Sequence, residues 1–413
     1  MSDRCTMKDA YHREMMLLPI VMEMELTGVC LSPDIEDVAK KWEHKFLEGD
    51  MYINEAIGDC KIGGLNMFKR LRELKLINED KVTYTDKGNP RYGREFIPQI
   101  VTDRKLVEIL VQRSKLTKII GTYLRPWADS YREYGRFYPY FNTTRNDDNM
   151  GTRTGRFSSN LQQIPKVYDP DLMDLRTLIY PDPGDTLLVR DFSAQEVRVG
   201  AHYAEGPILE EYNRNPDLDV HTFVQDMIKE TTGTDLGRRV SKTISFLKMY
   251  GGGARAAAGQ LGIDVNMAKT FFIAYDEALP EFKQLSKDLE TQVKSGTLLR
   301  TWGGRLYDVE PAKHIHGEYR EFYYKLVNVL IQGSSADMTK EAMVRYYKHP
   351  DRKGRLVMQV HDELVVSVNE KHRDQEMELL RWAMNEIPGW DVPIRSSGEW
   401  GPNYGTLTEW DKL

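Results

Sequence analysis

Cysteine is scarce. Cys5, Cys30 and Cys60 are the only three in 413 residues, too few and too scattered for a disulfide framework or a zinc site. A reducing, cytoplasm-like compartment is expected. Long apolar runs are also missing: no stretch reaches 18 residues and mean hydropathy is -0.55, so no helical membrane span is expected. No apolar core follows Met1-Ser2-Asp3-Arg4, so no secretory leader is expected. Internal repeats and low-complexity tracts are absent. Basic charge is short overall, with 57 Lys+Arg against 63 Asp+Glu and a net of -6. Taken alone, that argues against a polyanionic partner.

The distribution of charge reverses that argument. Residues 61–166 hold 21 Lys+Arg and only 11 Asp+Glu. A basic segment beside an acidic remainder suits a protein that holds nucleic acid in one part and cations in another, although a solvated surface has the same composition. The 40% hydrophobic and 29% charged fractions are those of a globular chain. The length predicts two or three domains.

Helical spacing of Met15, Leu18, Met22 and Leu26 predicts a helix over 7–30, ended by Thr27-Gly28. A second helix is expected over 103–127, with Leu106, Ile109, Leu110, Leu116 and Ile120 inward and Arg104, Lys105, Arg113, Lys115 and Lys118 outward. A strand follows at 186–190 and a helix from about 194. Residues 207–300 read as mostly helical. Gly303-Gly304 marks a hairpin, 318–347 a helix, and 356–360 with 364–368 a pair of strands.

Three constellations carry chemistry. The first runs from Thr186 to Arg198, where an apolar strand ends in Asp191-Phe192 and a helix begins. Ser193 and Glu196 fit a capping box. Capping does not explain an aspartate closing a buried strand, and a metal ligand does. The second is Arg238, Lys242, Phe246 and Tyr250, four residues apart each time. Each step advances about 40° beyond a full turn, so they form one slanted stripe about 18 Å long. Its basic end is the helix N-terminus, which favours anions. A triphosphate fits there, with sugar and base at the aromatic end. The competing reading is an amphipathic helix with Phe246 and Tyr250 in the core. The third is Gln359-Val360-His361-Asp362-Glu363 between two apolar runs. Adjacent carboxylates at a strand junction repel and lose hydration unless a divalent cation sits between them. An exposed hairpin turn would tolerate them too, but such a turn favours Asn-Gly or Asp-Gly, absent here. If both strands share a sheet, Asp191 and Asp362 converge into a two-metal site for in-line phosphoryl transfer with Mg²⁺ or Mn²⁺.

Together these segments resemble the motifs of family A, DNA polymerase I-like, DNA polymerases. The first is similar to Asp-Tyr-Ser-x-x-Glu-x-Arg, the second to Arg-x3-Lys-x3-Phe/Tyr-x3-Tyr-Gly, and the third to Gln-Val-His-Asp-Glu. Between them, Thr154–Ser159 and Asn160–Pro165 resemble the primer-template segment, Asp219-Val220-His221 the fingers Asp-x-His, and Asn328 to Gln332-Gly333 an Asn-x3-Gln-Gly helix. Met22 to Gly28 resembles the start of the thumb. The order is collinear over nearly the whole chain.

The resemblance implies an α+β, right-hand polymerase with an antiparallel-sheet palm and mostly helical fingers and thumb. The thumb would span 1–135, the palm 136–205 and 301–413, and the fingers 206–300. Asp191 and Asp362, helped by the Phe192 carbonyl, would bind two Mg²⁺ ions, with Mn²⁺ able to substitute. Arg238, Lys242 and His221 would hold the triphosphate, with Lys242 protonating the leaving pyrophosphate. Phe246 would pack on the sugar, Tyr250 near the base, and Glu196 would exclude a ribose 2′-OH. Arg156, Asn328, Gln332 and His361 would face the primer-template minor groove, where acceptors recur at similar positions in every base pair. Primer-template DNA and dNTPs are the implied partners, with no membrane. Departures are Ala194-Gln195 for the usual Gln-Ile, Leu247 for a usual Gly, and a short link between Ser159 and Asn160.

The rival enzyme is a single-subunit RNA polymerase. Glu196 and His-Asp-Glu rather than His-Asp-Ser argue against it. A degenerate polymerase acting only as a DNA-binding subunit is opposed by two intact aspartates. The thumb-like segment starts by Tyr11, so the expectation is a chain without a proofreading exonuclease, served by a separate exonuclease or by processivity and replisome proteins. A polymerase this compact is associated with phage or plasmid replication, and a phage-encoded chain would work in the host cytoplasm.

Overall fold

Apolar runs at 186–192, 356–360 and 364–368 assemble as strands of one five-stranded antiparallel sheet. In the computed structural model, which describes residues 5–85, 88–145, 148, 150–165, 174–315 and 317–411, these strands are β1 (Asp185–Phe192), β2 (Arg355–Val360), β3 (Glu363–Asn369), β4 (Ser396–Asn403) and β5 (Thr406–Glu409). Their order is β2-β3-β1-β4-β5. Burial is unbroken over Thr186–Arg190 and Leu364–Val368, as befits strands covered on both faces. Each such Val or Leu contributes about 1.5–3 kcal/mol of burial energy. Side chains alternate across the sheet, so Arg190 points away from the face that carries Asp191.

The helices that place the site are α1 (Met7–Thr27), α2 (Ile35–Ile57), α3 (Arg104–Ile119), α4 (Gln195–Ala204), α5 (Val220–Thr232), α6 (Arg238–Met249), α7 (Leu326–Lys348) and α8 (Arg373–Asn385). The main core runs from α1 through the sheet to the helices of 207–294. A second core joins the end of α2 to the start of α3 through Ile53, Phe68, Leu71, Ile100 and Leu110.

Three expectations change. Helix α1 forms and stops at Gly28, but the residues whose spacing predicted it lie on its outer face: Met22 is 57% and Leu26 74% exposed, while Leu17, Ile20, Val21 and Met24 are buried. The helix is apolar on both sides, so periodicity cannot choose a face. Polar anchors choose it: Arg13 donates to the Gly303 carbonyl at 3.0 Å and to Glu341 at 2.9 Å, and Lys340 donates to Glu14 at 2.6 Å. The helix expected over 318–347 begins only at Leu326. Glu318–Arg320 instead pairs with Lys313–Ile315 as a small hairpin, in which Tyr319 is a strand-favouring residue. The capping box does not form. Ser193 is still tied to the sheet, its N–H donating to Arg395 O at 2.9 Å, and Ala194, at φ 51°, precedes α4.

Candidate active site

The register of the sheet brings the first and third constellations together. Asp191 on β1 lies directly opposite Glu363 on β3. His361-Asp362 is the two-residue turn between β2 and β3, and the Phe192 N–H donates to the Asp362 carbonyl at 3.2 Å. The turn is therefore a tight hairpin after all, without Asn-Gly: His361 itself takes the left-handed conformation at φ 56°. It is the interior side of that turn that holds Asp362. Burial, followed by the neighbouring carboxyls of Asp362 and Glu363, pushes the Asp191 pKa up. Burial likewise raises Asp362.

Two carboxyls held this close cannot both ionise without positive charge. Their hard oxygen donors fit Mg²⁺ or Mn²⁺. Among the described residues no set of three or more His, Cys, Asp or Glu side chains converges as a metal site, so the candidate rests on this pair. Glu363 stands beside it, pushed up to about 7 by burial. The Tyr404 hydroxyl donates to its carboxylate, and the Arg176 guanidinium lies 5.0 Å from the Tyr404 ring.

Glu196 is at the start of α4 and only 9% exposed. Its carboxylate accepts from the Arg156 guanidinium and from the Tyr250 hydroxyl. Burial and Glu196 raise the Tyr250 phenol. Arg156, expected at the DNA, is thus held inside the site. Gln195 fixes the helix behind Glu196: its amide donates to the Ser335 carbonyl at 3.2 Å and Thr339 Oγ1 at 3.0 Å on α7. This is what the Ala194-Gln195 departure accomplishes locally.

The stripe on α6 forms as expected. The Phe246 and Tyr250 rings stack 5.8 Å apart at 25°, His221 meets Phe246 at 5.8 Å, and Lys242 Nζ lies 5.9 Å from the Phe246 ring. Phe246 and Tyr250 are half-buried; the inward side chains are Ile244, Leu247 and Met249. Leu247 fits because Gly252 has no side chain: a Cβ there would sit 2.7 Å from Leu247 Cδ2. Arg238 makes a two-pronged pair with Asp219, at 2.8 and 3.1 Å. His221 is buried, and burial followed by Lys242 and Arg238 lowers its pKa to about 4.

Asn328 and Gln332 lie one turn apart on α7, with Asn328 Oδ1 buried and unpartnered. His361 is exposed. The outward basic face of α3 is less free than expected: Arg113 is paired with Asp50 and stacks on Phe46 at 4.8 Å, and Lys105 lies 4.6 Å from the Tyr52 ring. Sequence reasoning missed Tyr404, and named Asp219, Gln359 and Gln162 only within their motifs, without the pairing of Asp219 to Arg238. The carboxylate chemistry flagged Glu363, but nothing local points to a tyrosine 41 residues away.

The sequence profile of DNA polymerase family A matches residues 35–406. DNA polymerase I of Caldicellulosiruptor bescii is 26% identical over 410 residues, 94% of this chain and 46% of that protein. The thermostable DNA polymerase I of Thermus filiformis is 31% identical over 396 residues, 91% of this chain and 45% of its own. A DNA-directed DNA polymerase of Pseudomonas phage M6 is 26% identical, covering 97% of this chain and 66% of that protein. The solved POL domain of Pol1 from M. smegmatis, in complex with DNA primer-template and dNTP, has a TM-score of 0.79 at 24% identity over 95% of this chain and 70% of that one. The fold is that α+β polymerase fold. The chain belongs to DNA polymerase family A, and spans about half the length of the two bacterial relatives.

Proposed function

We propose that this chain is a template-directed DNA polymerase that adds dNTPs to a primer 3′-OH and releases pyrophosphate. Residues 1–135 act as the thumb, 136–205 with 301–413 as the palm, and 206–300 as the fingers. The convergence of Asp191 and Asp362 at the end of a buried sheet is the observation that carries this reading. With the Phe192 carbonyl, the two aspartates would hold two Mg²⁺ ions, which lower the cost of charge on the attacking and leaving oxygens.

The remaining roles belong to the chain's own side chains. Arg238, at the N-terminus of α6, binds the triphosphate by exchanging Asp219 for phosphate oxygens. His221, neutral at pH 7, offers phosphate a hydrogen bond rather than a charge. Lys242, one turn further along α6, gives its proton to the departing pyrophosphate. Phe246 packs on the sugar, with Glu196 behind it excluding a 2′-OH, and Tyr250 bounds the base. Asn328, Gln332 and His361 contact the primer-template minor groove, and Arg156 would join them only on leaving Glu196. Primer extension with dNTPs against NTPs tests the reading. Asp191→Asn and Asp362→Asn should each cut turnover by at least about 10²-fold while primer-template affinity holds, because the lost interaction stabilises the transition state. Near-normal extension by either variant refutes it.

A further inference from the structure

The turn that presents Asp362 is held by two glutamines to which the proposed chemistry gives no part. His361 has φ 56°, a left-handed conformation that is strained for a residue with a side chain. Two-residue hairpin turns usually avoid that strain with Asn or Gly. Here the backbone of His361 is fixed from outside. Its N–H donates to Gln162 Oε1 at 2.7 Å, and its carbonyl accepts from Gln359 Nε2. The two glutamines are themselves joined, Gln162 Nε2 donating to the Gln359 carbonyl at 3.0 Å and lying 3.3 Å from Gln359 Oε1. Gln359 is only 2% exposed, so water has little access to the bonds its own side chain and carbonyl make. Beyond the turn, Phe192 N–H holds the Asp362 carbonyl at 3.2 Å. The chain is thus pinned on both sides of the Asp362 side chain.

We infer that Gln162 and Gln359 are positioning residues that lock the His361-Asp362 turn and keep the Asp362 carboxylate against Asp191. Gln162 lies in the segment that resembles a primer-template contact, yet its amide is spent on the turn. The same segment carries Arg156, which reaches Glu196. One stretch of chain, 156–162, therefore braces both the second aspartate and the glutamate that guards the sugar.

The inference rests on Asp362 acting with the metals, and the test separates the two. Gln162→Met and Gln359→Met keep side-chain bulk and remove the hydrogen bonds. In single-turnover primer extension, each should lower the maximal rate by about 10–100-fold, the effect of a displacement of about 1 Å in a reacting group. Each should also raise the Mg²⁺ concentration needed for half-maximal rate, with dNTP KM and primer-template Kd little changed. The double variant should be no worse than the poorer single one, because both break the same clamp. Wild-type rates and Mg²⁺ dependence in both variants would overturn the inference. So would weaker primer-template binding with an intact maximal rate, which would make Gln162 a DNA contact. Loss of the folded state in both, measured by thermal melting, would overturn it by showing a general structural role. An Asp362→Asn enzyme that extends primers normally would instead overturn the reading of Asp362 itself.

Discussion

Replacing Glu196 separates a sugar gate from a structural carboxylate. Glu196 is buried and accepts from Arg156 and Tyr250, so Glu196→Ala leaves two donors without their acceptor. At about 1–3 kcal/mol for an unsatisfied buried group, and with Arg156 partly open to water, a loss of about 3 kcal/mol is expected. For a chain of 413 residues, an unfolding entropy of about 2 cal/mol/K per residue turns that into a fall of about 3–4 °C in Tm. The functional effect is distinct. Rejecting one hydroxyl by collision is worth about 1–3 kcal/mol, so Glu196→Ala should improve kcat/KM for NTPs relative to dNTPs by about 5–150-fold. Glu196→Gln keeps the bulk and one acceptor oxygen. It should melt below the wild type but retain most of the discrimination. The assay is single-nucleotide primer extension with dNTP and the matched NTP, beside a thermal melt. A Glu196→Ala protein that melts lower yet keeps the wild-type NTP/dNTP ratio would refute the gate.

Other outcomes follow from the same geometry. His221 has a folded pKa of about 4, below its ordinary 6.5, so the unfolded chain binds the extra proton between those values. Its contribution of at most about 3 kcal/mol is present above pH 6.5 and lost as pH falls towards 4; His221→Gln should flatten Tm against pH in that window, and an unchanged slope would refute it. On α3, Lys118→Glu should reduce the salt slope of primer-template binding by about 1. Arg113→Glu should chiefly lower Tm, since Arg113 is committed to Asp50 and Phe46; equal effects on the slope would show that both face DNA.

Legibility in the sequence followed from how local each cause was. Strands β1 to β3 and the aspartates that end them could be read because a buried apolar run and a carboxylate at its edge are both local signals. The stripe on α6 was legible because four residues at one spacing lie on one helix. Helix α1 was legible as a helix but not by its face, since Leu17, Ile20 and Met24 compete with Leu18, Met22 and Leu26 for the same periodicity. Ser193-x-x-Glu196 matched a cap, but tertiary contacts overrode it: the Ser193 N–H is bound to the Arg395 carbonyl, and Glu196 turns to partners 40 and 54 residues away. The Gln162–Gln359 clamp spans 197 residues, and no local pattern announces it. Arg113 read as free charge because its carboxylate partner is on another helix.

The charged groups assigned to substrate are matched against one another in this conformation, and the matches are unequal. Arg238 and Asp219 are about half exposed, so their pair is worth about 0–1 kcal/mol and exchanges readily for phosphate. Arg156, Glu196 and Tyr250 are more deeply placed, and parting them exposes groups whose desolvation has already been compensated. Asp191 and Asp362 are the opposite case, two close carboxyls that cannot both carry charge unless a cation joins them. On the proposed reading, triphosphate capture at Arg238 should therefore be weakly selective and sensitive to salt, and Asp191 and Asp362 would hold the metal. On the same reading, discrimination would fall at Glu196, where the correct sugar must fit without forcing the buried network apart. Selectivity in this arrangement belongs to the least exchangeable contact, and the affinity of first encounter to the most exchangeable one.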